Sequence, residues 1–191
     1  RTAGAAQTLL KSAGMGPEGR VALAGQGPLF WLLAAQWLRA GVRIDLALDT
    51  TDASNWRSAA PYAPGFLLSP YFAKGLALMR EVKAKTKVIG GVVDLVAQGD
   101  GRLERLTYEA GGRRVTADVD VLLLHQGVTP NVNLAMAAGL AHVWDDMQLC
   151  WRPKLDAEFA SSVEGSAVAG DGAGIAGAPA AVWRGRIAAR A

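Results

Sequence analysis

An α/β architecture is predicted for this chain by three stretches of sequence. In Arg20–Gly41, a short apolar run meets Gly25-Gln26-Gly27, and a helical pattern follows in which Leu29, Leu32, Leu33, Trp37 and Ala40 share one face. From Lys87 to Leu124, short apolar runs alternate with glycine turns, as in a meander of strands. From Gly165 to Pro179, a short apolar run ends in Gly170-Asp171-Gly172, and a small-residue turn leads into a helix from Ala180 to Ala189.

The first stretch carries the most chemistry. Val21 to Ala24, apolar at every position, has the character of an inner parallel strand buried on both faces. Gly41 stands where a left-handed glycine ends a helix. Arg43 to Leu48 gives a second strand, closed by Asp49. The result is a β-α-β unit with Gly-x-Gly at its first turn and an acid at the end of its second strand. That arrangement suits a dinucleotide. Bare glycines let the backbone approach a pyrophosphate, the helix N-terminus presents free N–H groups, and a carboxylate can accept from a ribose diol. Gly25, Gly27, Pro28 and Asp49 are therefore the candidate nucleotide contacts. Phe30 fills the position of the third glycine, where helix and strand pack closely. A ring there must displace the helix or point elsewhere, so a β-α-β unit that binds nothing is the competing reading. Gly25, Gln26, Gly27, Pro28 and Gln36 interrupt Val21–Leu38 too often for a membrane span.

The totals exclude several classes. With 191 residues there is material for one large domain or two small ones. The net charge is +3 and the arginines are scattered, which leaves no footprint for nucleic acid. Cys150 is the only cysteine, so an internal disulfide, a Cys-x-x-Cys redox pair and a cysteine-rich metal or iron–sulfur centre are excluded. His125 and His142 lack metal-ligand spacing, and no metal is expected. No signal peptide is visible, which makes a cytoplasmic location the default expectation. The chain opens on Arg1 in mid-pattern and reads as a piece of a longer protein.

The other elements follow in order. Ala3 to Ser12 suggests a short helix, and Gly14 to Gly19 a linker. After Asp49 comes an irregular stretch in which Trp56, Tyr62 and Phe66 are expected to serve packing. Ser69-Pro70 is read as N-cap and N1 of a helix running to about Lys85, whose basic end is a solvated face. Lys87 to Ala97 is read as one strand. Turns at Gln98–Gly101 and Gly111-Gly112 then separate strands around Leu106 and Val115, and Asp120 to His125 is another buried strand. Thr129 is expected to cap a helix with Pro130 at N1 that ends at Gly139. Val143 to Pro153 shows no clear period. Cys150 within it reads as a buried small hydrophobe, and Asp145-Asp146 as a solvated pair.

Taken together, AGAAQTLLKS (Ala3 to Ser12), the Gly25–Leu29 turn, LLLHQGVTPN (Leu122 to Asn131) and AGDGAGIAGA (Ala169 to Ala178) resemble the two-dinucleotide-domain FAD/NAD(P)-binding oxidoreductases, the pyridine nucleotide-disulfide oxidoreductase family. Within it the likeness is to the larger FAD-dependent subunits of opine oxidases and hydrogen cyanide synthase. The resemblance implies a Rossmann-like NAD(P)-binding-type domain with an antiparallel meander, residues 17–117, inserted into an FAD-binding domain. Residues 1–16 and 118–191 would belong to the carboxy-terminal part of that split domain. It further implies that Asp171 bonds the flavin ribityl chain with Gly170 and Gly172 framing it. Gly25, Gly27, Pro28 and Asp49 would face NAD(H) or another adenine nucleotide.

The implied function is FAD-dependent oxidation of a secondary amine or amino-acid derivative such as an opine or glycine, with a partner oxidase subunit. The catalytic residues are not readable, and the flavin itself would accept the hydride. The amino-terminal Gly-x-Gly-x-x-Gly unit that would hold the ADP half of FAD is not in this stretch, which alone is expected to be inactive. Two alternatives stand beside this reading: an NAD(P)H-dependent flavoprotein reductase, and a non-catalytic nucleotide-binding or scaffold subunit.

Overall fold

The computed structural model describes residues 1–190. The chain divides into two compact units, Arg1–Gly127 and Val128–Ala191.

The first unit is built on a four-stranded parallel sheet. Its strands are β1 (Val21–Gly25), β2 (Leu46–Asp49), β3 (Lys87–Gly90) and β7 (Val121–His125), in the order β3-β2-β1-β7. β1 is central and buried at every residue, which is why its sequence is apolar throughout rather than alternating. It pairs with β2 from Ala22↔Leu46 to Gly25↔Asp49 and with β7 from Val21↔Val121 to Gly25↔His125.

Each face of the sheet has its own core. On one side α2 (Pro28–Arg39) and α5 (Pro70–Lys85) bring Phe30, Leu33, Trp37, Leu78 and Val82 against Val21, Leu23 and Leu123. On the other side lies an antiparallel meander of β4 (Val93–Gln98), β5 (Arg105–Ala110) and β6 (Arg113–Asp118). Leu106 and Tyr108 from the meander, with Val119 beyond it, pack on Ala22, Ala24 and Leu48. The alternation along β1 thus sends the bulkier Val21 and Leu23 toward the helices and the two alanines toward the meander.

Polar groups fix the amino-terminal edge of this sheet. The Asp120 carboxylate accepts from the Arg20 backbone N–H at 2.8 Å and from the Arg20 guanidinium at 3.0 and 2.8 Å. These bonds hold Asp120 well below the usual carboxylate range. Asp45 accepts from the Val21 N–H at 2.9 Å and from Arg43. Burial alone would raise its pKa, but those two hydrogen bonds outweigh burial and keep it low.

The first unit is larger than the residue 17–117 segment expected from the sequence. Helix α1 (Ala3–Ala13) belongs to it: Ala3 is fully buried in the α2-side core, with Ala6 and Leu10 packed against that core. The Arg1 amino group donates to Leu122 O and the Leu124 N–H to Arg1 O, both at 2.9 Å, so the first residues line the outer edge of β7. β7 itself completes the second edge of β1. Its apolar run declares a buried strand, but nothing in such a run says which sheet it joins.

Local differences have similar causes. The stretch after Asp49 is helical: α3 (Ala53–Ala59), capped by Asp52 accepting from the Ser54 N–H at 2.6 Å, and α4 (Ala63–Leu67) after a 3₁₀ turn. Tyr62 is exposed there, contrary to the packing role expected, whereas Phe66, half-exposed, lies edge-on to Phe72 of α5 with ring centroids 5.8 Å apart; the side chain of Trp56 lies outside the described residues. The single strand expected over Lys87–Ala97 is two strands in two sheets. Gly91, at φ 65°, turns the chain between them, and the buried Val92 anchors the corner. Ser69 and Pro70 open α5 as expected, but the Ser69 hydroxyl donates to Phe66 O at 2.7 Å instead of capping the helix.

The second unit contains α6 (Asn133–Ala137), a hairpin of β8 (His142–Asp145) and β9 (Cys150–Pro153), a 3₁₀ turn at Gly170–Ala173 and α7 (Ala178–Ala188). α6 starts at Asn133 rather than at Pro130, after a turn in which Asn131 Oδ1 accepts from the Asn133 N–H. The segment without clear period is the hairpin, in which Trp144 faces Trp151 across the strands with ring centroids 5.6 Å apart. Asp145 is no free member of an acid pair, since it accepts from the Met147 and Gln148 N–H groups and from Arg152. Cys150 is buried, as expected. The run before Gly170 forms no strand, only an isolated bridge between Ala160 and Ala167.

Candidate functional site

The first candidate site lies at the carboxyl end of the parallel sheet. From β1 the chain proceeds through α2 to β2 and β3 on one side, while β7 fills the other. The carboxyl end of β1 is therefore the switch point at which open α/β sheets take ligands. Gly25 and Gly27 stand there for different reasons. A Cβ on Gly25 would lie 1.9 Å from the His125 carbonyl oxygen, so the backbone of β7 demands this glycine. Gly27 has φ 83° and ψ 177°, and nothing lies within 4 Å of where its Cβ would be. Its glycine is required by conformation, and the space beside it is open to a ligand.

Pro28 opens α2 without wasting an N–H, and the Phe30 N–H closes onto Gly27 O at 3.2 Å. The Phe30 ring is fully buried among the residues under α2, edge-on to Trp31 at 5.2 Å. It fills the helix–strand seam instead of the open side of the turn. Asp49, half-buried, ends β2. Its Oδ1 accepts from the Thr51 N–H at 3.0 Å and from the Thr51 hydroxyl, which orients the carboxylate; Oδ2 has no partner among the described residues. These residues fit the ribose and pyrophosphate of a nucleotide in kind: an open glycine flank, a helix start and an oriented carboxylate with one free oxygen.

The sequence weighed His125 only as a metal ligand. It is the last residue of β7, opposite Gly25, and is 8% exposed. Burial pushes its imidazole below the ordinary value. A histidine that ends an apolar run was the signal for it.

The second candidate site lies in the Gly170–Gly177 loop of the second unit. Gly170, Gly174 and Gly177 have φ of 73°, 118° and 85°, which makes glycine the suitable residue at each. Gly172 is not forced by space, since a Cβ there would touch Val168 at an ordinary 3.6 Å. Asp171 is exposed, and its carboxylate has no hydrogen-bond partner among the described residues, while its carbonyl accepts from the Gly174 N–H at 3.1 Å. A carboxylate presented in this way can accept from the hydroxyls of a polyol, so the turn fits a ribityl chain. Two side chains with no signal in the sequence hold the loop. Gln148 exchanges both amide bonds with Ile175, at 2.7 and 2.9 Å. Arg184 of α7 donates to the carbonyls of Gly170 and Gly174.

Among the described residues, no cluster of three metal-ligating side chains exists and no helix is long and apolar enough to cross a membrane.

No family profile matches the chain. Among curated proteins, it is 45% identical to an opine oxidase subunit of Rhizobium meliloti over all of this chain and 36% of that protein. It is 43% identical to the corresponding opine oxidase subunit of Agrobacterium tumefaciens, over all of this chain and 38% of that protein. It is 31% identical to hydrogen cyanide synthase subunit HcnB of Pseudomonas aeruginosa, over 97% of this chain and 41% of that protein. The chain thus spans between a third and about two fifths of the length of these relatives.

Among solved structures, the bacillithiol disulfide reductase YpdA of Staphylococcus aureus superposes with a TM-score of 0.61 at 16% identity, over 91% of this chain and 50% of that one. Thioredoxin reductase of T. acidophilum gives 0.60 at 19% identity, over 90% of this chain and 50% of that one. The fold of this chain is therefore shared with about half of each of these two reductases, and in sequence it is a homologue of part of these opine oxidase subunits and of HcnB.

Proposed function

We propose that this chain is the part of an FAD-dependent oxidoreductase that carries its second nucleotide-type unit and its flavin-side aspartate turn. The whole enzyme would oxidise a secondary amine or amino-acid derivative, an opine or glycine, together with a partner oxidase subunit. The observation that carries this reading is the 45% identity to a subunit of an opine oxidase, which runs the entire length of the chain. When bound, FAD would accept a hydride from the carbon next to nitrogen. Asp171 would hold the ribityl hydroxyls, with Gly170 and Gly172 framing the turn.

The test is to co-express the full-length protein with its partner subunit, then mix the complex anaerobically with opines or with glycine. Loss of the visible flavin absorbance with one of them is the expected result. No change with any amine, but loss with a reduced nicotinamide, would move the assignment to a flavoprotein reductase. No flavin at all would leave the scaffold reading.

The reductase reading has its own support in the open flank of Gly27 and the free Oδ2 of Asp49. Asp49 is followed by Thr50, Thr51 and Asp52, none of which carries the positive charge that favours a 2′-phosphate. If a nicotinamide nucleotide binds at Gly25, Gly27, Pro28 and Asp49, NADH is therefore expected to bind more tightly than NADPH. Fluorescence titration of the two reads this out, and tighter NADPH binding would remove Asp49 from the ribose role.

A further inference from the structure

The Asp171 turn does little to hold its own shape. It begins and ends on glycines with positive φ, and its internal support is a single 3₁₀ turn followed by the Gly174 N–H to Asp171 O bond at 3.1 Å. Two further groups that shape the turn are the carbonyls of Gly170 and Gly174, and both converge on one nitrogen. Arg184 Nη1 reaches Gly170 O at 3.4 Å and Gly174 O at 2.5 Å. The guanidinium lies 5.8 Å from the centroid of the Phe159 ring, a cation–π contact that limits where it can go. Phe159 is in turn fixed by its own backbone, its carbonyl accepting from the Val168 N–H at 3.0 Å.

We infer that Arg184 is the positioning residue of the flavin-side turn: it clamps both ends of Gly170–Gly174 and so presets the direction of the Asp171 carboxylate. This rests on the reading of Asp171 as the ribityl contact. A planar guanidinium suits the task because it offers several donors in a fixed fork while its face stacks on an aromatic ring. A lysine keeps the charge and has three donors, but its ammonium rides on a flexible stem and has no planar face, so it loses the stacking that fixes the donor between the two carbonyls. Without the clamp the glycine-rich turn samples more conformations, and the apparent affinity of a ligand that needs one of them falls in proportion to the population of that conformation.

The experiment is a double-mutant cycle on FAD affinity in the full-length protein, using Arg184→Ala, Arg184→Lys, Asp171→Ala and the pair Asp171→Ala/Arg184→Ala. Each is stripped of flavin, checked for native circular dichroism and titrated with FAD. Arg184→Ala is expected to weaken FAD about tenfold and Arg184→Lys by less. The pair should be no weaker than Asp171→Ala alone, because Arg184 acts through Asp171. Independent, multiplying effects in the pair would overturn the clamp, as would unchanged affinity in a folded Arg184→Ala. If Arg184→Ala does not fold, Arg184→Lys combined with Asp171→Ala supplies the same cycle. Unchanged affinity in Asp171→Ala would instead remove the ribityl reading itself, an outcome separate from failure of the clamp.

Discussion

Gly25→Val is expected to abolish the parallel sheet, not merely to weaken a ligand. The Cβ would stand 1.9 Å from the His125 carbonyl oxygen and 2.7 Å from its carbon, and both are backbone atoms. A flexible side chain could swing away from such a collision. β7 cannot, because it is hydrogen-bonded to β1 along its length and Leu123 is locked into the core. Moving β1 the other way breaks its register with β2. Separating β1 from β7 gives up several kcal/mol, a large part of the roughly 5–15 kcal/mol that holds a domain folded. Loss of the cooperative urea transition, or expression only in aggregates, is the expected result. Gly27→Ala is the matched control. Open space surrounds its Cβ, so the cost is confined to the backbone conformation, on the order of 1–3 kcal/mol. A Gly25→Val protein with an unchanged urea midpoint would show that β7 does not sit against β1 as described.

Asp171→Ala should lower flavin occupancy sharply and leave the parallel-sheet unit folded. The carboxylate makes no hydrogen bond with any described residue, so its removal leaves no orphaned partner in the protein. Its loss would be felt only by a ligand. A charge-assisted hydrogen bond contributes about 1.5–3 kcal/mol, which corresponds to about ten- to a hundredfold in affinity. The ratio of flavin to protein absorbance after exhaustive dialysis measures it, with thermal unfolding as the check on the fold. An unchanged ratio would reduce Asp171 to a turn residue.

The parallel core was legible because its signals are local and redundant. An apolar run into Gly-x-Gly, a helical face around Trp37 and a glycine after the helix each point to β1, α2 and the turn between them. The meander was legible from its glycine turns. What was not legible depends on partners distant in sequence. The β7 run looks the same whichever sheet it joins, and α1 reveals nothing of its place until Arg1 is seen bonded to Leu122. The Trp144–Trp151 hairpin lacks strict alternation, so only the cross-strand pair identifies it. In the sites, glycines and acids announce themselves by type and spacing, whereas Arg184 and Gln148 do not. An arginine in a helix and a glutamine in a hairpin turn are ordinary residues until the carbonyls they hold are in view. Phe30 shows the limit of motif reading from the other side. It breaks the spacing rule, yet it is accommodated because the seam beneath α2 is built around a ring.

The placement of β7 also has a consequence in time. The helices and strands up to β3 can form as they are made, but Val21 must wait for Val121 before the outer edge of β1 is paired. At synthesis rates of about 5–20 residues per second, that edge stands open on the ribosome for roughly 5–20 seconds. During this interval the nascent chain carries an unpaired, wholly apolar strand, the kind of template to which a neighbouring chain can add. Such late, long-range closure slows folding. Yield of this protein should therefore respond to growth temperature and chaperone supply more than its finished stability would suggest.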